Sequence, residues 1–387
     1  MQDVKEDDPA APSGSKYLWV KAFGPSNGGY DYTYTAPVIL NGTDISFVLE
    51  STTGFYFEKS FNESSPADIG DGNYIMKYRV TDGAGAASFY ENMFFSYFQY
   101  GHQDNQNVWG LNFNSGSGPY PEFFKTDYNG NEFGVIQLAP FYFSRINWVN
   151  PVSSHEFINL ALNGEAEKMN FDGQSVLTNS NALSIMDAPN SYTLAKWIDV
   201  VKLNNAYYGQ MSVIDSGSLA EVSYLFKMDN NLNHVWHQPA PVNCILTDGA
   251  SLVTIGNNNG SFTGGEVNKF SPNGTLLWSV PIGGSCRLDS TSDINTNGNI
   301  YVYITPKVPY GYISIGSITI TGLSDVIVKF NTLGQYQGHI SLPFDCKAKI
   351  KSFGIYLAFV GRHRSTADFG IRQLQGQGNF VALMEGF

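Results

Sequence analysis

A run of alternating oxygen-bearing side chains near residue 295 has the spacing best suited to chemistry in this sequence. Asp293, Asn295 and Asn297 alternate, and Gly298 follows them. This is the first half of a calcium-binding loop, in which alternate side chains point inward and glycine permits a sharp turn. The twelfth position, where a bidentate glutamate would complete the site, is Ile304. We therefore predict no metal and favour a hairpin turn at Asn297-Gly298, with calcium binding as the alternative.

Three cysteines, Cys244, Cys286 and Cys346, are the other residues suited to binding a metal. Their number is odd and no Cys-x-x-Cys pair exists, so the usual structural zinc site is not expected. Each begins an apolar run that fits the first strand of a repeat. We interpret the cysteines as small buried residues at crowded strand starts. A disulfide between neighbours and a soft-metal site are the alternatives.

The motifs of common enzymes are missing from the sequence. There is no Gly-x-Ser-x-Gly, no His-Glu-x-x-His and no phosphate-binding loop. Residues 271–274, Ser-Pro-Asn-Gly, and the later Trp278 have a faint likeness to a sialidase Asp-box that lacks its aspartate, and we interpret them as a turn before a core tryptophan. The six histidines are scattered, and we expect His234 and His237 at the surface. We therefore predict no enzymatic activity and no cofactor.

Composition and charge restrict the partners and the fold class. The chain has 387 residues and a net charge of −12. Nucleic acids and anionic membranes are bound through basic patches, so we expect neither as a partner. No stretch of about 18 apolar residues is present, so no membrane span is predicted. Charged residues are only 14% of the chain, against about 25% in typical domains. The polar surface must come from Asn, Ser, Thr and Gly, which favour strands and turns.

One sequence phrase recurs along the chain: an apolar strand ending in Lys-Phe or a similar pair, a turn with glycine or asparagine, and a second apolar strand. The clearest copies are residues 267–278 and 326–334. With this phrase as a guide, the chain divides into seven repeats of four strands. The second strands are predicted at 45–50, 108–113, 157–162, 209–214, 251–256, 300–305 and 355–360. The third strands are predicted to begin near Tyr74, Glu122, Glu167, Tyr224, Val267, Val326 and Phe380.

Fourth strands are found in only six repeats, at 87–91, 133–138, 175–179, 233–238, 275–279 and 336–341. The chain ends at Phe387, directly after the third strand of the seventh repeat. Residues 17–21, Tyr-Leu-Trp-Val-Lys, have the character of a fourth strand. We therefore predict an all-β fold, a single seven-bladed β-propeller of four-stranded blades over residues 16–387. The N-terminal strand completes the C-terminal blade and closes the ring, which removes exposed strand edges.

One segment carries a competing pattern. Within residues 191–203, Leu194, Trp197, Ile198 and Val201 have helical spacing, and a cap residue precedes them. The phase of the repeats places a first strand at 195–201 instead. We predict the strand and keep an isolated helix as the alternative.

The fifth and sixth repeats resemble a known family. Residues 292–302 read Ser-Asp-Ile-Asn-Thr-Asn-Gly-Asn-Ile-Tyr-Val, and residues 325–330 read Asp-Val-Ile-Val-Lys-Phe. These segments resemble the bacterial β-propeller repeats called SBBP repeats. The resemblance implies a propeller and an extracytoplasmic setting, and it implies no particular activity.

The first residues are predicted to form a flexible tether, residues 1–15, because they are charged and have little to bury. Within them Lys5-Glu6-Asp7-Asp8 resembles the acidic signal that follows the lipidated cysteine of surface lipoproteins in Bacteroidetes-type bacteria. We therefore expect a bacterial cell-surface or periplasmic protein, with a lipid anchor upstream of residue 2 if Met1 replaces a removed signal and cysteine. An ordinary disordered terminus is the alternative.

Three long connections between second and third strands define the expected binding surface. They span 51–72, 306–324 and 361–378, in repeats that become neighbours once the ring closes. Loops on a rigid scaffold commonly carry function, and binding hot spots favour aromatic residues and arginine. The alternative is that the aromatic residues pack the loops onto the blades. The candidate residues are Phe55, Tyr56, Phe57, Phe61, Tyr310, Tyr312, Arg362, His363, Arg364 and Arg372.

The sequence thus favours a non-enzymatic platform that binds a protein partner, within an outer-membrane assembly of the bacterial envelope. Because arginine binds carboxylates through paired donors, we expect an acidic or polar partner segment. Glycan binding, with or without cleavage, is the alternative. Cleavage needs two carboxylates roughly 5–10 Å apart. The candidates are Glu58, Glu63, Asp68, Asp71 and Asp368.

Overall fold

The computed structural model describes residues 17–25, 32–34, 36–51, 55–57, 67–69, 72–91, 98–103, 107–112, 122–127, 132–137, 146–153, 156–161, 165–170, 174–180, 192–215, 221–241, 243–257, 262–307 and 311–386. Every regular element within these residues is a β-strand, which confirms the predicted all-β class. No helix in the described part of the chain is long and apolar enough to cross a membrane.

The described residues between 17 and 239 contain twenty strands. They are β1 (Tyr17–Pro25), β2 (Tyr32–Tyr34), β3 (Val38–Leu40), β4 (Asp44–Ser51), β5 (Phe55–Phe57), β6 (Ala67–Ile69), β7 (Gly72–Arg79), β8 (Gly85–Glu91), β9 (Phe98–Gln103), β10 (Asn107–Asn112), β11 (Glu122–Asp127), β12 (Glu132–Gln137), β13 (Ile146–Ser153), β14 (Glu156–Ala161), β15 (Ala166–Asn170), β16 (Ser175–Asn179), β17 (Tyr192–Leu203), β18 (Ala206–Asp215), β19 (Glu221–Asp229) and β20 (His234–Pro239).

Sixteen strands follow in the described second half. They are β21 (Cys244–Thr247), β22 (Leu252–Asn257), β23 (Gly265–Phe270), β24 (Leu276–Gly284), β25 (Cys286–Leu288), β26 (Asp293–Ile294), β27 (Ile300–Pro306), β28 (Tyr312–Ile315), β29 (Ile318–Thr321), β30 (Val326–Phe330), β31 (Tyr336–Ser341), β32 (Cys346–Phe353), β33 (Tyr356–His363), β34 (Ala367–Asp368), β35 (Gln373–Leu374) and β36 (Gly378–Glu385). Each predicted second, third and fourth strand overlaps one of these strands.

The segment with the competing helical pattern is strand β17, so the helix alternative is wrong. β17 pairs with β18 along nearly its whole length. The pairing register shifts twice, between Leu194 and Lys196 and between Trp197 and Asp199. Each irregularity inserts a residue into the period-two alternation of a strand. The apolar residues therefore leave strict alternation and take on a spacing that looks helical.

The strands form small antiparallel sheets in chain order. Of the eight sheets within the described residues, seven have four or more strands. In the third and fourth repeats the order is simply β13-β14-β15-β16 and β17-β18-β19-β20. Sequence neighbours are sheet neighbours there, so each of these two repeats forms its own sheet.

The two ends of the chain meet in one sheet. Its order is β32-β33-β36-β1-β5-β6. β1 runs antiparallel to β36, with Tyr17 opposite Met384 and Phe23 opposite Asn379. The N-terminal strand thus pairs with the last strand of the chain.

The lysine of the recurring Lys-Phe phrase links three successive sheets each to the next one. In three consecutive junctions its Nζ donates to a main-chain carbonyl in the turn between the third and fourth strands of the following repeat. The three bonds are Lys168 to Asn230 at 2.9 Å, Lys227 to Pro272 at 3.1 Å and Lys269 to Thr332 at 3.3 Å. In these three copies the lysine of the phrase therefore stabilises the contact between neighbouring sheets.

A tryptophan on the fourth strand makes a second recurring contact with the next sheet. Its ring covers the glycine of the same turn, where a Cβ would lie about 3 Å or less from the ring. The pairs are Trp236 over Gly274, Trp278 over Gly334, and Trp19 over Gly83. Trp278 donates through Nε1 to the Thr332 carbonyl at 3.1 Å, and Trp19 likewise to the Val80 carbonyl at 2.9 Å. Trp19 of β1 thus joins the last sheet to the first repeat as Trp278 joins the fifth to the sixth.

The first strands of successive sheets are also neighbours. β3, β32, β26, β21, β17 and β13 contact one another in that order. One core cluster includes Trp19, Phe23, Phe47, Tyr78 and Val381, and so spans the last sheet and the first. Sheets of the first repeat and of the third to seventh repeats are therefore packed side by side.

Two of the three long connections are partly folded rather than open loops. β5 and β6 form a hairpin that pairs with β1, extending the last sheet. β28 and β29 form a hairpin that pairs with β24, extending the sheet of the fifth repeat. Both segments are rich in aromatic and β-branched residues, which favour strands. The third connection contains the short ribbon β34–β35.

Candidate functional site

A basic cavity of about 440 Å³ opens where the first strands of the sixth and seventh repeats begin. Six basic residues from two neighbouring sheets line it: Arg287, Lys347, Lys349, Arg362, His363 and Arg364. Among the lining residues that the structure describes, Asp289 is the only carboxylate. The net charge of the whole chain is −12, so the charge of this cavity is opposite in sign to that of the protein as a whole.

Strand alternation places the lysines of β32 at the cavity. Cys346, Ala348 and Ile350 are buried, while Lys347 and Lys349 alternate with them on the other face. Lys347 is also directly opposite Arg362 of β33, whose other neighbour is Asn379 of β36. A row of lysine, arginine and asparagine therefore crosses the sheet at the cavity.

Lys347 is held by a buried carboxylate of the neighbouring repeat. Its Nζ lies 2.7 Å from both Oδ1 and Oδ2 of Asp325, which is 4% exposed. The Tyr303 hydroxyl donates to Asp325 Oδ2 at 2.6 Å and accepts from the Ala348 main chain at 3.0 Å. Burial raises the pKa of the Asp325 carboxyl, and hydrogen bonds from Lys347 and Tyr303 oppose that rise. This cluster fixes one wall of the cavity.

Lys349 has a neutral partner instead. Its Nζ donates to the Tyr34 carbonyl at 2.7 Å and lies 5.5 Å from the centre of the Tyr34 ring. Burial lowers the pKa of Lys349, while the charge of Asp289 raises it. The ammonium is fixed in place without a carboxylate at hydrogen-bond distance among the described residues.

The arginines supply positive charge that the described residues leave largely unpaired. Arg362 and Arg364 are exposed, and neither forms an ion pair with a residue that the structure describes. Arg287 lies 3.5 Å from Asp289, with both side chains partly exposed. Such an exposed pair stabilises a fold by little. The cavity therefore keeps a strong positive potential.

His363 orders the connection beside the cavity. It is buried, and its Nδ1 lies 2.9 Å from the Ser365 carbonyl and 3.0 Å from the Gly376 carbonyl. Carbonyl oxygens only accept, so Nδ1 carries the proton. A Cβ on Gly378 would lie 3.1 Å from His363 Nε2, so glycine there leaves room for the ring.

The other predicted site residues are placed apart from this cavity or lie outside the described residues. Arg372 donates to the Val20 carbonyl of β1 at 3.0 Å, and Tyr312 is exposed on β28. Asp368 accepts from the Gly370 main chain in a turn. The side chains of Phe55, Tyr56, Phe57 and Asp68, and all of Glu58, Phe61, Glu63, Asp71 and Tyr310, lie outside the described residues.

Three basic lining residues were missed by the sequence interpretation: Arg287, Lys347 and Lys349. A signal for them is present, because Arg287 and Lys347 each directly follow a cysteine that begins a first strand. Alternation then places the basic side chain opposite to the buried cysteine.

The cysteines are small buried residues at strand starts, as interpreted. Cys244, Cys286 and Cys346 begin β21, β25 and β32, and all three are buried and free. The disulfide alternative is therefore wrong. Burial raises the pKa of Cys286 to about 11 and that of Cys346 to about 12. Within the described residues no group of three or more His, Cys, Asp or Glu side chains is placed to hold a metal ion.

The calcium-like run forms a hairpin turn between β26 and β27, as favoured from the sequence. Asn295 Oδ1 accepts from the main chains of Asn297 and Asn299, both at 3.0 Å. The Asp293 carboxylate accepts from Lys351 at 2.9 Å and from Ser352 at 2.6 Å. These oxygens stabilise the turn and the junction between two sheets.

Comparison with known proteins gives the fold. No protein-family model matches the chain, and no curated protein matches it. The chain is similar to the β-propeller domain of the Trilobed protease from Pyrococcus furiosus, with a TM-score of 0.50 and 7% identity, over 91% of this chain and 93% of that domain. That domain has an open velcro topology. The fold is a β-propeller.

Two further propellers are similar at lower scores. The Pan2 WD40 domain of Neurospora crassa gives a TM-score of 0.46 at 9% identity, over 94% of this chain and 89% of that one. BamB from Moraxella catarrhalis gives 0.39 at 10% identity, over 92% and 100% respectively.

Proposed function

We propose that this propeller is a non-enzymatic platform that binds a protein partner on the face where the basic cavity opens. One observation supports the proposal: five lysine and arginine side chains converge on a single cavity in a chain of net charge −12. Arg362 and Arg364 are exposed there and form no ion pair within the described residues. Arginine is enriched among the residues that dominate binding energy at interfaces.

The proposed architecture has seven blades in a ring that β1 closes. Seven described sheets with four or more strands support the blade number. The pairing of β1 with β36, and the contact of Trp19 with Gly83, support closure between the last blade and the first. A closed ring would hold the sheets around the cavity rigidly, so that a partner meets a preformed surface.

The proposed location is extracytoplasmic, at the bacterial cell surface or in the periplasm, within an outer-membrane assembly. The resemblance of residues 292–302 and 325–330 to SBBP repeats supports it, as does the acidic run Lys5-Glu6-Asp7-Asp8. A lipid anchor upstream of residue 2 would follow from the same run. Fractionation of the native cells tests the location, and recovery in the cytoplasm would contradict it.

Capture of a partner from the native envelope tests the proposed function. The wild-type chain, Arg362→Gln and Arg364→Gln would be used as baits. Arg79→Gln is the matched control, because Arg79 is exposed and forms its ion pair with Asp82 on the first blade, away from the lining residues. We expect one protein to be retained by wild type and Arg79→Gln and reduced with the two cavity variants.

The same baits are also tested on a glycan array, because glycan recognition is the alternative function. Retention of a sugar with no protein partner would overturn the proposal in favour of glycan recognition. A protein retained equally by all four baits would place the binding surface elsewhere on the propeller.

A further inference from the structure

The basic cavity pairs like charges where a fold alone would avoid them. Lys347 and Arg362 are directly opposite one another on β32 and β33, at the separation where like charges destabilise a sheet. Lys349 is on the same face of β32 as Lys347, two residues further along. Asp325 balances the charge of Lys347, so the charges that a bound anion would offset are those of Lys349, Arg362 and Arg364.

The available cations are those whose charge the described residues do not already balance. Lys347 is balanced by Asp325, at 2.7 Å. Lys349 meets only the neutral carbonyl of Tyr34, and Arg362 and Arg364 meet no described carboxylate within salt-bridge distance. Three cationic groups therefore remain for a ligand, Lys349 on β32, Arg362 on β33 and Arg364 just after β33, which is more than one carboxylate requires.

The cavity is much larger than a bare inorganic ion. Its volume of about 440 Å³ is roughly fifteen times the share of one water molecule in the liquid, about 30 Å³. Tyr34, Tyr303 and Ala348 supply aromatic and apolar wall, and Asn379 supplies an amide. An anion carried on an organic body of about one or two amino-acid residues would fit this space.

Asp289 favours a peptide over other organic anions. It is a lining carboxylate at a site otherwise made of cations, and one of its oxygens accepts from the Thr291 main chain at 3.1 Å. A carboxylate accepts several hydrogen bonds, and the main-chain N–H groups of a peptide are donors of the kind it needs. A sulfate or a fully ionised dicarboxylate offers no such donor.

We propose that the cavity binds a short peptide segment bearing two adjacent acidic side chains, with Arg362, Arg364 and Lys349 holding the carboxylates and Asp289 accepting from a main-chain N–H. This rests on the proposed function, since the segment belongs to the protein partner. The partner is thus assigned a chemistry, an Asp or Glu pair in an exposed segment.

The test uses the purified full chain and defined probes. A labelled peptide with two adjacent glutamates, capped at both ends, is titrated in about 20 mM salt, and the matched peptide with two glutamines is the control. We expect the acidic peptide to bind and the glutamine peptide to fail. Removing one charged donor by Arg362→Gln, Arg364→Gln or Lys349→Met should weaken binding by about tenfold or more. Arg79→Gln should bind as wild type does.

Competing probes test whether the cavity prefers another class of anion to the peptide. Inorganic phosphate or sulfate displacing the peptide at equal concentration would overturn the peptide assignment, leaving a general anion site. Free glucuronate binding in place of the peptide would overturn it in favour of an acidic glycan. Asp289→Ala removes the acceptor together with its charge, so peptide affinity should fall relative to sulfate affinity; equal changes in both affinities would contradict the role given to Asp289.

The outcomes separate this inference from the proposed function. If no acidic peptide binds, yet a captured protein still depends on Arg362, the peptide inference fails and the platform stands. If the peptide binds but no envelope protein is captured, the platform fails and the cavity chemistry stands. Thermal melts of every variant test whether it still folds. Arg362 and Arg364 are exposed, so their variants should melt near wild type.

Discussion

Replacing Trp19 by alanine should destabilise the whole propeller, although Trp19 is near the start of the chain. Trp19 is 1% exposed, donates to the Val80 carbonyl at 2.9 Å and packs its ring over Gly83. Truncation of a buried tryptophan costs about 3–5 kcal/mol. That is a large share of the roughly 5–15 kcal/mol that stabilises a typical domain. The loss should be global if β1 joins the last blade to the first.

Equilibrium unfolding in urea, followed by fluorescence and circular dichroism together, measures this loss. Leu18→Ala is the matched control, because Leu18 is the neighbouring residue on β1 and is 42% exposed. It should stay within about 0.5 kcal/mol of wild type, as surface substitutions usually do. Trp278→Ala removes the equivalent contact between the fifth and sixth blades and should also lower the midpoint. A midpoint for Trp19→Ala no lower than that of Leu18→Ala would refute the reasoning that β1 joins the two blades.

Three further outcomes follow from single sites. Gly334→Ala should lower the free energy of unfolding more than Gly354→Ala. Both glycines have positive φ, but a Cβ on Gly334 would lie 2.9 Å from the Trp278 ring, while Gly354 faces open space. Paired urea titrations compare the two variants. Burial would raise the pKa of Asp248, but hydrogen bonds led by Lys269 lower it to about 2. Since the folded pKa lies below the ordinary value, the stabilisation of about 2 kcal/mol is present at neutral pH and is lost as pH falls from about 4 towards 2; Asp248→Asn should flatten the stability profile there. The three cysteines are buried and free, so a thiol reagent at pH 8 should label the native chain slowly and all three thiols at once in denaturant, and rapid native labelling would contradict their burial.

The repeat architecture could be predicted because local sequence and tertiary contact coincide in each repeat. The lysine of the Lys-Phe phrase and the glycine of the following turn are both used in contacts between neighbouring sheets. The same physical demand acts on every copy, so the sequence repeats the same residue types. The seventh repeat has no fourth strand of its own, and this indicated that the N-terminal strand would lie beside its third strand. β1 pairs with β36.

The hairpins of the long connections could not be predicted in the same way. β5–β6 and β28–β29 occur in two connections only, so no repeat frames them. Each becomes a strand pair by adding to the edge of a sheet from the preceding repeat or from the other end of the chain. A loop and an added hairpin occupy the same position in the sequence of a repeat. They differ only in whether the edge of a neighbouring sheet pairs with the segment.

The residues that line the cavity could be predicted only in part. Arg362 and Arg364 stood out as positive residues in a long connection, and both line it. Lys347 and Lys349 did not, because they belong to a regular strand whose sequence looks like any half-exposed edge. Their importance comes from the register that places Lys347 opposite Arg362, which is a long-range pairing between β32 and β33. Charge spacing within one strand gives no information on that pairing.

The alternating lysines of β32 show how one strand serves both structure and binding. Lys347 and Lys351 each pair with a carboxylate of the sixth blade, Asp325 at 2.7 Å and Asp293 at 2.9 Å. Lys349, between them, meets a neutral carbonyl. Removing a paired lysine leaves a largely buried carboxylate without its partner, and that costs stability.

Removing Lys349 leaves no such charge behind, although it removes the bond to the Tyr34 carbonyl, so its loss should cost less stability than the loss of Lys351 and should appear mainly in ligand affinity. The contrast between Lys351→Met and Lys349→Met therefore separates the two roles on the same strand with the same substitution. A lower unfolding midpoint for Lys351→Met, with Lys349→Met near wild type in stability and weak in acidic-peptide binding, is the expected pattern. The reverse pattern would mean that Lys349 holds the blades together and that the cavity has another purpose.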